Sequence, residues 1–185
     1  MIIPILEKMS PLSEESKQAL NGVLRTYYFE KNEFLLKKGE ISTCFYYLKK
    51  GATRIFYHKK EKEITEWLAL NGEFFISIAS FYKQKPSLLN IQAIESSEVI
   101  VIPHDDFIAL SKKHHDIETL HRVILTECLL LSQERMESIQ FENAQERYER
   151  LIKNRPEIVK RVSLTYIASF LGITLETLSR IRVKK

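Results

Sequence analysis

The chain has 185 residues, of which 44% are hydrophobic and 28% are charged, the balance of a globular protein long enough to bury its own core. Five glycines and five prolines exclude a collagen-like or low-complexity chain. No apolar run reaches the length of a membrane span and no signal peptide is evident, so we expect a cytoplasmic protein without a membrane partner. Cys44 and Cys128 are far apart in sequence, which predicts two reduced thiols and neither a thiolate zinc site nor a disulfide framework. We expect no cofactor.

Charge is distributed unevenly along the chain. Residues 150–185 carry nine basic and two acidic side chains, a net charge of +7, whereas the first 149 residues carry a net charge of −3. A basic end on a slightly acidic body is typical of a protein that binds a polyanion, nucleic acid first. The same charge pattern also fits a solvated basic tail.

The first part of the chain is predicted to be mostly strands. An amphipathic helix is indicated over residues 13–24, where Ser13 can cap the first turn. Short runs rich in Tyr, Phe, Ile and Val then alternate with turn residues, which predicts strands over 25–30, 33–37, 44–49, 53–57, 63–69, 89–95 and 98–102. Many short strands at near-regular spacing indicate an antiparallel sandwich or roll, interrupted by a brief helix over 76–82.

After residue 103 the pattern becomes helical, with a short helix over 105–110 and a long one over about 116–140. Apolar side chains between 123 and 131 cover nearly the whole circumference of the long helix, so both of its sides need an apolar partner. One side can pack on the strand domain, and we expect the other to pack on a second subunit. The predicted homodimer interface is Val123, Ile124, Leu130 and Leu131. The alternative is a central helix inside one larger core.

The basic end has the pattern of a helix-turn-helix. Residues 143–146 show the reciprocal capping pattern of a new helix, which should end before residue 156. Ser163 and Thr174 can each cap a further helix, and Gly172 between them supplies the positive φ of a sharp turn. Ala168 is small where two crossing helices would touch. A chance helical hairpin could imitate this pattern, but its position in the basic end favours DNA binding.

Three segments match the motifs of a known family: KGATRIF at 50–56, GEFF at 72–75 and LGITLETLSR at 171–180. With them the chain resembles the Crp/Fnr family of bacterial transcription regulators over nearly its whole length. The resemblance implies an α+β fold: an N-terminal antiparallel β-roll of the cyclic nucleotide-binding, jelly-roll type, a long dimerisation helix, and a small helix-turn-helix domain lacking a full wing. The implied domains are residues 1–115 (sensor roll), 116–142 (dimerisation helix and hinge) and 143–185 (DNA binding).

In this family the second helix of the motif enters the major groove of DNA. The resemblance thereby implies a DNA-binding set of Thr174, Leu175, Glu176, Thr177, Ser179, Arg180, Lys184 and Lys185. Glu176 can accept from cytosine and Arg180 can bind guanine, while Leu175 offers only apolar contact. The hydroxyls and lysines are expected to hold phosphates, although Thr177 and Ser179 fit a solvated helix face equally well. Because the chain stops where the family has a wing, we expect modest, strongly salt-dependent affinity.

The ligand cassette departs from the cyclic-AMP-binding members of the family, which offer a Gly-Glu pair to the ribose and an Arg-Ser pair to the phosphate. Here Ile76-Ser77 and Ser87-Leu88 stand at those places. The candidate effector pocket is Phe74, Phe75, Ser77, Ser87, Leu88, Ser132 and Gln133. We expect it to be degenerate, with an unknown effector or none, and this stretch to be core and turn. The cysteine cluster of the iron–sulfur branch is absent from the sequence.

The resulting functional hypothesis is a homodimeric transcription regulator that binds double-stranded DNA, with RNA polymerase as a further partner implied by the resemblance. The alternative is a dimeric ligand-sensing or protein-interaction module of the same fold without sequence-specific DNA binding. An enzyme of the metal cupin type would need a facing set of His and carboxylate ligands. The histidines lack the paired strand spacing for that role, so we expect no enzyme: His58, His104, His114, His115 and His121.

Overall fold

A computed structural model describes residues 2–183 of the chain. Two helices come first, α1 (Ile3–Met9) and α2 (Glu14–Val23). The Ser13 hydroxyl accepts from the Ser16 N–H at 3.2 Å, which confirms the predicted cap of α2. Helix α1 was not predicted, because it has only seven residues and no side-chain cap. It forms because complete burial of Leu6 in the core offsets the entropy of ordering so short a segment.

Eight strands form two four-stranded antiparallel sheets. The strands are β1 (Arg25–Phe29), β2 (Phe34–Leu36), β3 (Cys44–Lys50), β4 (Ala52–Lys59), β5 (Lys62–Leu70), β6 (Phe74–Phe75), β7 (Asn90–Ala93) and β8 (Ser97–Pro103). The first sheet has the order β1-β8-β3-β6 and the second the order β2-β7-β4-β5. Each of the seven predicted strands corresponds to one of these. The two-residue β6 is the addition, too short to leave a pattern.

The alternation of side chains along the strands builds a layered core. In β8, Val99 and Val101 face the second sheet, whereas Ile100 and Ile102 face the helices on the outside of the first sheet. The outer face of the second sheet is also apolar, because Leu68 and Leu70 of β5 pack against the C-terminal helices. The roll is therefore covered on both outer faces, once by the N-terminal and central helices and once by the C-terminal domain.

The helices after β5 follow the predicted order. They are α3 (Ile78–Lys83), α4 (His104–Lys113), α5 (His115–Phe141), α6 (Ala144–Asn154), α7 (Pro156–Arg161), α8 (Leu164–Leu171) and α9 (Leu175–Val183). The capping box at Asn143 and Glu146 is present at the start of α6, as predicted. The architecture is the expected α+β fold. Within residues 2–183, no helix is both long and apolar enough to cross a membrane.

Helix α5 packs one face on the roll and leaves others uncovered. Ile117, Leu120 and Ile124 are buried in the core of the chain, with Ile124 only 1% exposed. The assignment of Ile124 to a dimer interface is therefore wrong. Ile124 lies one helical turn from Leu120 and two turns from Ile117, so it shares with them the face of α5 that covers the roll. Leu129 and Leu130 are 66% and 51% exposed, so the chain itself does not cover the whole apolar circumference of α5.

Candidate nucleic-acid interface and sensor cavity

The two C-terminal helices form a helix-turn-helix with the predicted caps. The Ser163 hydroxyl accepts from the Tyr166 N–H at the start of α8. Gly172 ends α8 in the left-handed conformation with φ 68°, which a residue with a Cβ adopts less readily. The Ile173 N–H then donates to the Ala168 carbonyl at 3.0 Å. Leu178 of α9 is fully buried against this framework, so the orientation of α9 is fixed by packing.

One stripe of α9 faces away from the protein. It comprises Leu175, Glu176, Ser179 and Arg180, all exposed, while Thr177 is half-buried. Their spacing of one, three and four residues places them on one side of the helix. These are the residues predicted to contact DNA, and the structure brings them together on one surface. Lys184 and Lys185 lie outside the described residues.

Hydrogen bonds at the start of α9 hold its hydroxyls in place. The Thr174 hydroxyl accepts from the Thr177 N–H at 3.2 Å, and the Arg180 guanidinium donates to the Thr177 hydroxyl at 3.5 Å. A backbone N–H at the helix start and the Thr174 side chain lower the pKa of Glu176, with smaller contributions from the Arg180 and Lys62 cations. Glu176 therefore stays ionised, as an acceptor for a base amino group requires.

The C-terminal domain docks on the roll through two arginines. Nη2 of Arg155 donates to the Leu68 carbonyl at 2.8 Å and to both carboxylate oxygens of Glu73 at 2.7 and 2.6 Å. Arg161 pairs with Glu95 and also donates to the Gly51 carbonyl at 2.7 Å. These contacts join α7 and the residue before it to the end of β5 and to neighbouring turns of the roll.

A second set of contacts joins α8 to strand β5, which is the edge of its sheet. The Ser169 hydroxyl accepts from the Thr65 N–H at 2.8 Å and donates to the Glu63 carbonyl at 3.1 Å. Strand β5 thus exposes fewer unpaired backbone groups than a free edge would. The Arg54 guanidinium lies between the rings of Phe56 and Tyr166, 3.8 Å from each centroid.

A cavity of about 360 Å³ lies between the roll and α5. Phe74 and Phe75 line it from the roll, and Ser132 and Arg135 line it from α5. The Arg135 guanidinium lies 4.4 Å from the centroid of Phe170 and donates to the Phe170 carbonyl at 2.6 Å. Arg135 is a cation that the sequence interpretation of the pocket did not include, and it is already engaged by the C-terminal domain.

Four of the seven candidate effector residues are not among those lining this cavity. Ser77 and Ser87 are buried and their hydroxyls hydrogen-bond to each other at 3.0 Å. Leu88 is 76% exposed on a loop, and the Gln133 amide donates along α5 to Glu137 at 3.2 Å. The assignment of Ser77, Ser87, Leu88 and Gln133 to a pocket is therefore not supported by their positions. The structure agrees with the expectation that this stretch is mostly core and turn.

The histidines are dispersed over the fold. Among residues 2–183, no group of three or more His, Cys, Asp or Glu side chains is placed to hold a metal ion. His121 is buried, hydrogen-bonds at 2.6 Å with the Tyr82 hydroxyl, and lies 3.3 Å from the Ser111 hydroxyl. Burial lowers its pKa below the ordinary value of 6.5. Its partners and burial are those of a core histidine.

Comparison with known proteins defines the class of the fold. Residues 26–114, which span the roll, match the model of the cyclic nucleotide-binding domain family. The chain is similar to FixK2 from Bradyrhizobium japonicum, with 20% identity, a TM-score of 0.71, and coverage of 88% of this chain and 84% of that one. It is also similar to CLP from Xanthomonas campestris, described as a c-di-GMP responsive global regulator, with 16% identity, a TM-score of 0.71, and coverage of 93% and 91%.

A third solved structure names the family directly. It is a protein from Eubacterium rectale described as a transcriptional regulator of the Crp/Fnr family, with 17% identity, a TM-score of 0.71, and coverage of 92% of this chain and 82% of that one. No protein of curated function matches the sequence. The sequence resemblance is therefore confirmed at the level of the fold: the chain has the fold of Crp/Fnr regulators, from the roll through the long helix to the helix-turn-helix.

Proposed function

We propose that the protein is a transcription regulator of the Crp/Fnr type and not an enzyme, acting in the cytoplasm as a homodimer. The single observation that carries the proposal is the exposed stripe of α9 on a basic helix-turn-helix that docks on a cyclic nucleotide-binding-type roll. We retain residues 1–115, 116–142 and 143–185 as its sensor, dimerisation and DNA-binding domains.

The chemistry of the stripe suits base recognition in the major groove. The Arg180 guanidinium can donate to two acceptors of guanine, and Glu176 can accept from cytosine. Leu175, 41% exposed, offers apolar surface to a thymine methyl group. The Thr174 and Ser179 hydroxyls can hold phosphates beside these contacts, which positions the helix without reading sequence.

The proposed dimer seam lies on α5, on a different side from the residues that the sequence pattern favours. Val123 and Leu130 share their side of the helix with Glu127 and Glu134, three and four residues away. A second stripe of residues on α5 repeats at alternating intervals of four and three residues, as in a coiled coil, and contains no charged side chain. This seam comprises Leu125, Leu129, Ser132, Met136 and Ile139. Leu129, Met136 and Ile139 are 66%, 47% and 48% exposed in the protomer, and a second α5 would cover them.

The effector site is proposed to be degenerate. The cavity is mostly apolar, and the Arg135 guanidinium is committed to the Phe170 and Thr65 carbonyls. An anionic ligand would have to displace those contacts before it gained a cation. A neutral apolar ligand, or none, fits this arrangement better than a cyclic nucleotide.

The proposal is tested by selecting preferred duplexes from a random DNA pool and measuring affinity for selected and random sequences. Arg180→Ala should cost about 1–3 kcal/mol on the selected duplex and relax preference at one base pair. Arg182→Ala is the matched control, since it removes the same charge from an exposed position on the same helix that the predicted DNA-binding set does not include. It should weaken selected and random DNA similarly. If the wild-type protein shows no retardation of any duplex at low salt, the non-DNA-binding interaction module becomes the better hypothesis.

A further inference from the structure

The hairpin between β4 and β5 ends in an unusual concentration of positive charge. Its tip consists of residues 59–62, and three of these four residues are the exposed lysines Lys59, Lys60 and Lys62. Lys59 and Lys62 stand directly opposite each other in the antiparallel register, an arrangement that costs free energy between like charges. Lys60 has φ 57°, a conformation in which glycine or asparagine is more usual.

The acidic side chains of the hairpin itself do little to neutralise these lysines. Among the residues that the structure describes, neither Lys59 nor Lys60 forms an ion pair, and Glu61 at the turn is the only acidic residue between them and Lys62. The carboxylate of Glu63, which follows Lys62 in β5, pairs instead with the Arg54 guanidinium at 2.8 Å. The tip of the hairpin is therefore an exposed cationic surface with a net charge of +2 over residues 59–62.

The hairpin is fixed relative to the DNA-reading helix. Ser169 of α8 bonds the backbone of β5 at Glu63 and Thr65, immediately beside the tip. Lys62 is close enough to the start of α9 for its charge to help lower the pKa of Glu176. The hairpin lysines and the exposed stripe of α9 therefore lie at the same end of the molecule, and the Ser169 hydrogen bonds keep them together.

We propose that the hairpin tip at Lys59, Lys60 and Lys62 is a second DNA-contacting element, which binds backbone phosphates beside the groove that α9 enters. The inference rests on the proposed function. Phosphates fit these groups because a lysine ammonium is a mobile point charge that needs no fixed donor geometry. A duplex would also relieve the repulsion between Lys59 and Lys62, which the protein alone leaves uncompensated. Such contacts add affinity and salt dependence but no sequence preference.

The test compares a triple variant, K59Q/K60Q/K62Q, with the wild-type protein on a short duplex of random sequence over a series of salt concentrations. The matched control is K83Q/K85Q/K112Q, which removes three exposed lysines from α3, the loop after it, and α4. The conservative variant K59R/K60R/K62R keeps the charge. We expect the hairpin variant to lower the slope of log affinity against log salt by about one for each phosphate that the tip no longer neutralises. Its affinity should fall about tenfold or more, while the control and the arginine variant stay near wild type.

The outcomes separate the two hypotheses. The inference is overturned, and the proposed function kept, if wild type binds DNA while the hairpin and control variants have equal slopes. It is equally overturned if the hairpin variant binds DNA normally but loses transcriptional activity in cells, because the tip then contacts a protein. Absence of DNA binding by the wild-type protein overturns both. A hairpin variant that lost preference for selected over random duplexes, as Arg180→Ala should, would contradict the assignment to phosphates.

Discussion

Replacement of Leu129 tests the dimer seam most directly. Its side chain is 66% exposed in the protomer and is the most exposed leucine of the proposed seam. Full burial of a leucine contributes about 1.5–3 kcal/mol, so two-thirds of that, about 1–2 kcal/mol, remains to be gained by each protomer on association. Two copies contribute about 2–4 kcal/mol to the dimer. Alanine retains part of the contact, so Leu129→Ala should weaken the dimer about 10- to 100-fold.

Leu129→Asp should have a larger effect than Leu129→Ala. Two carboxylates would meet across the seam without a cation, and burial of unpaired charge is more costly than removal of apolar surface. We expect a monomer at micromolar concentration, measured by sedimentation equilibrium or light scattering, with an unchanged circular dichroism spectrum. Leu88→Asp is the control, because Leu88 is 76% exposed on a loop of the roll.

Leu130→Asp distinguishes the proposed seam from the interface that the sequence pattern favours. Residue 130 is about 100° around the helix from residue 129 and lies beside Glu127 and Glu134. The seam therefore predicts a smaller loss of affinity for Leu130→Asp than for Leu129→Asp. A wild-type monomer at micromolar concentration, or a Leu129→Asp protein that remains a dimer, would refute this reasoning.

Three further predictions concern the pocket, a buried histidine and the domain contact. Cyclic AMP should bind weakly or not at all in calorimetric titration, because the Ser77 and Ser87 hydroxyls already hydrogen-bond to each other. A low-micromolar affinity would contradict this prediction. Since burial lowers the pKa of His121 below 6.5, the unfolded state binds more protons, and the free energy of unfolding should fall as pH drops below about 6.5. His121→Gln should flatten that dependence in denaturant titrations. Arg155→Ala should increase proteolysis near residue 155 by leaving Glu73 without its cation; an unchanged cleavage rate would argue against this contact.

Local signals explain why the helix-turn-helix could be predicted. Ser163 and Thr174 cap helices through hydrogen bonds to backbone N–H groups three residues further along the chain. Gly172 adopts the left-handed turn because it has no side chain. The strands were predictable for the same reason, because period-two alternation needs only a few residues. Helix α1 and strand β6 depend on packing against distant residues and carry no such signal.

The phase of the long helix could not be read from sequence. When apolar residues surround a helix, the pattern predicts that all sides are covered but does not say by what. The roll determines which face of α5 is buried, because it covers Ile117, Leu120 and Ile124. Only then does the remaining heptad stripe become visible, and the proposed interface moves from Ile124 to Leu129.

The docking contacts were missed because their partners are remote in sequence. Arg155 and Glu73 are 82 residues apart, and Arg161 and Gly51 are 110 apart. Arg54 is the clearest case: in a strand pattern it predicts a solvent-facing position, yet it is only 2% exposed. It tolerates burial because Glu63 pairs with it and the Tyr166 ring, supplied by α8, covers its open face. A buried charge of this kind is specified by the docked domain, so its site exists only once the two domains have assembled.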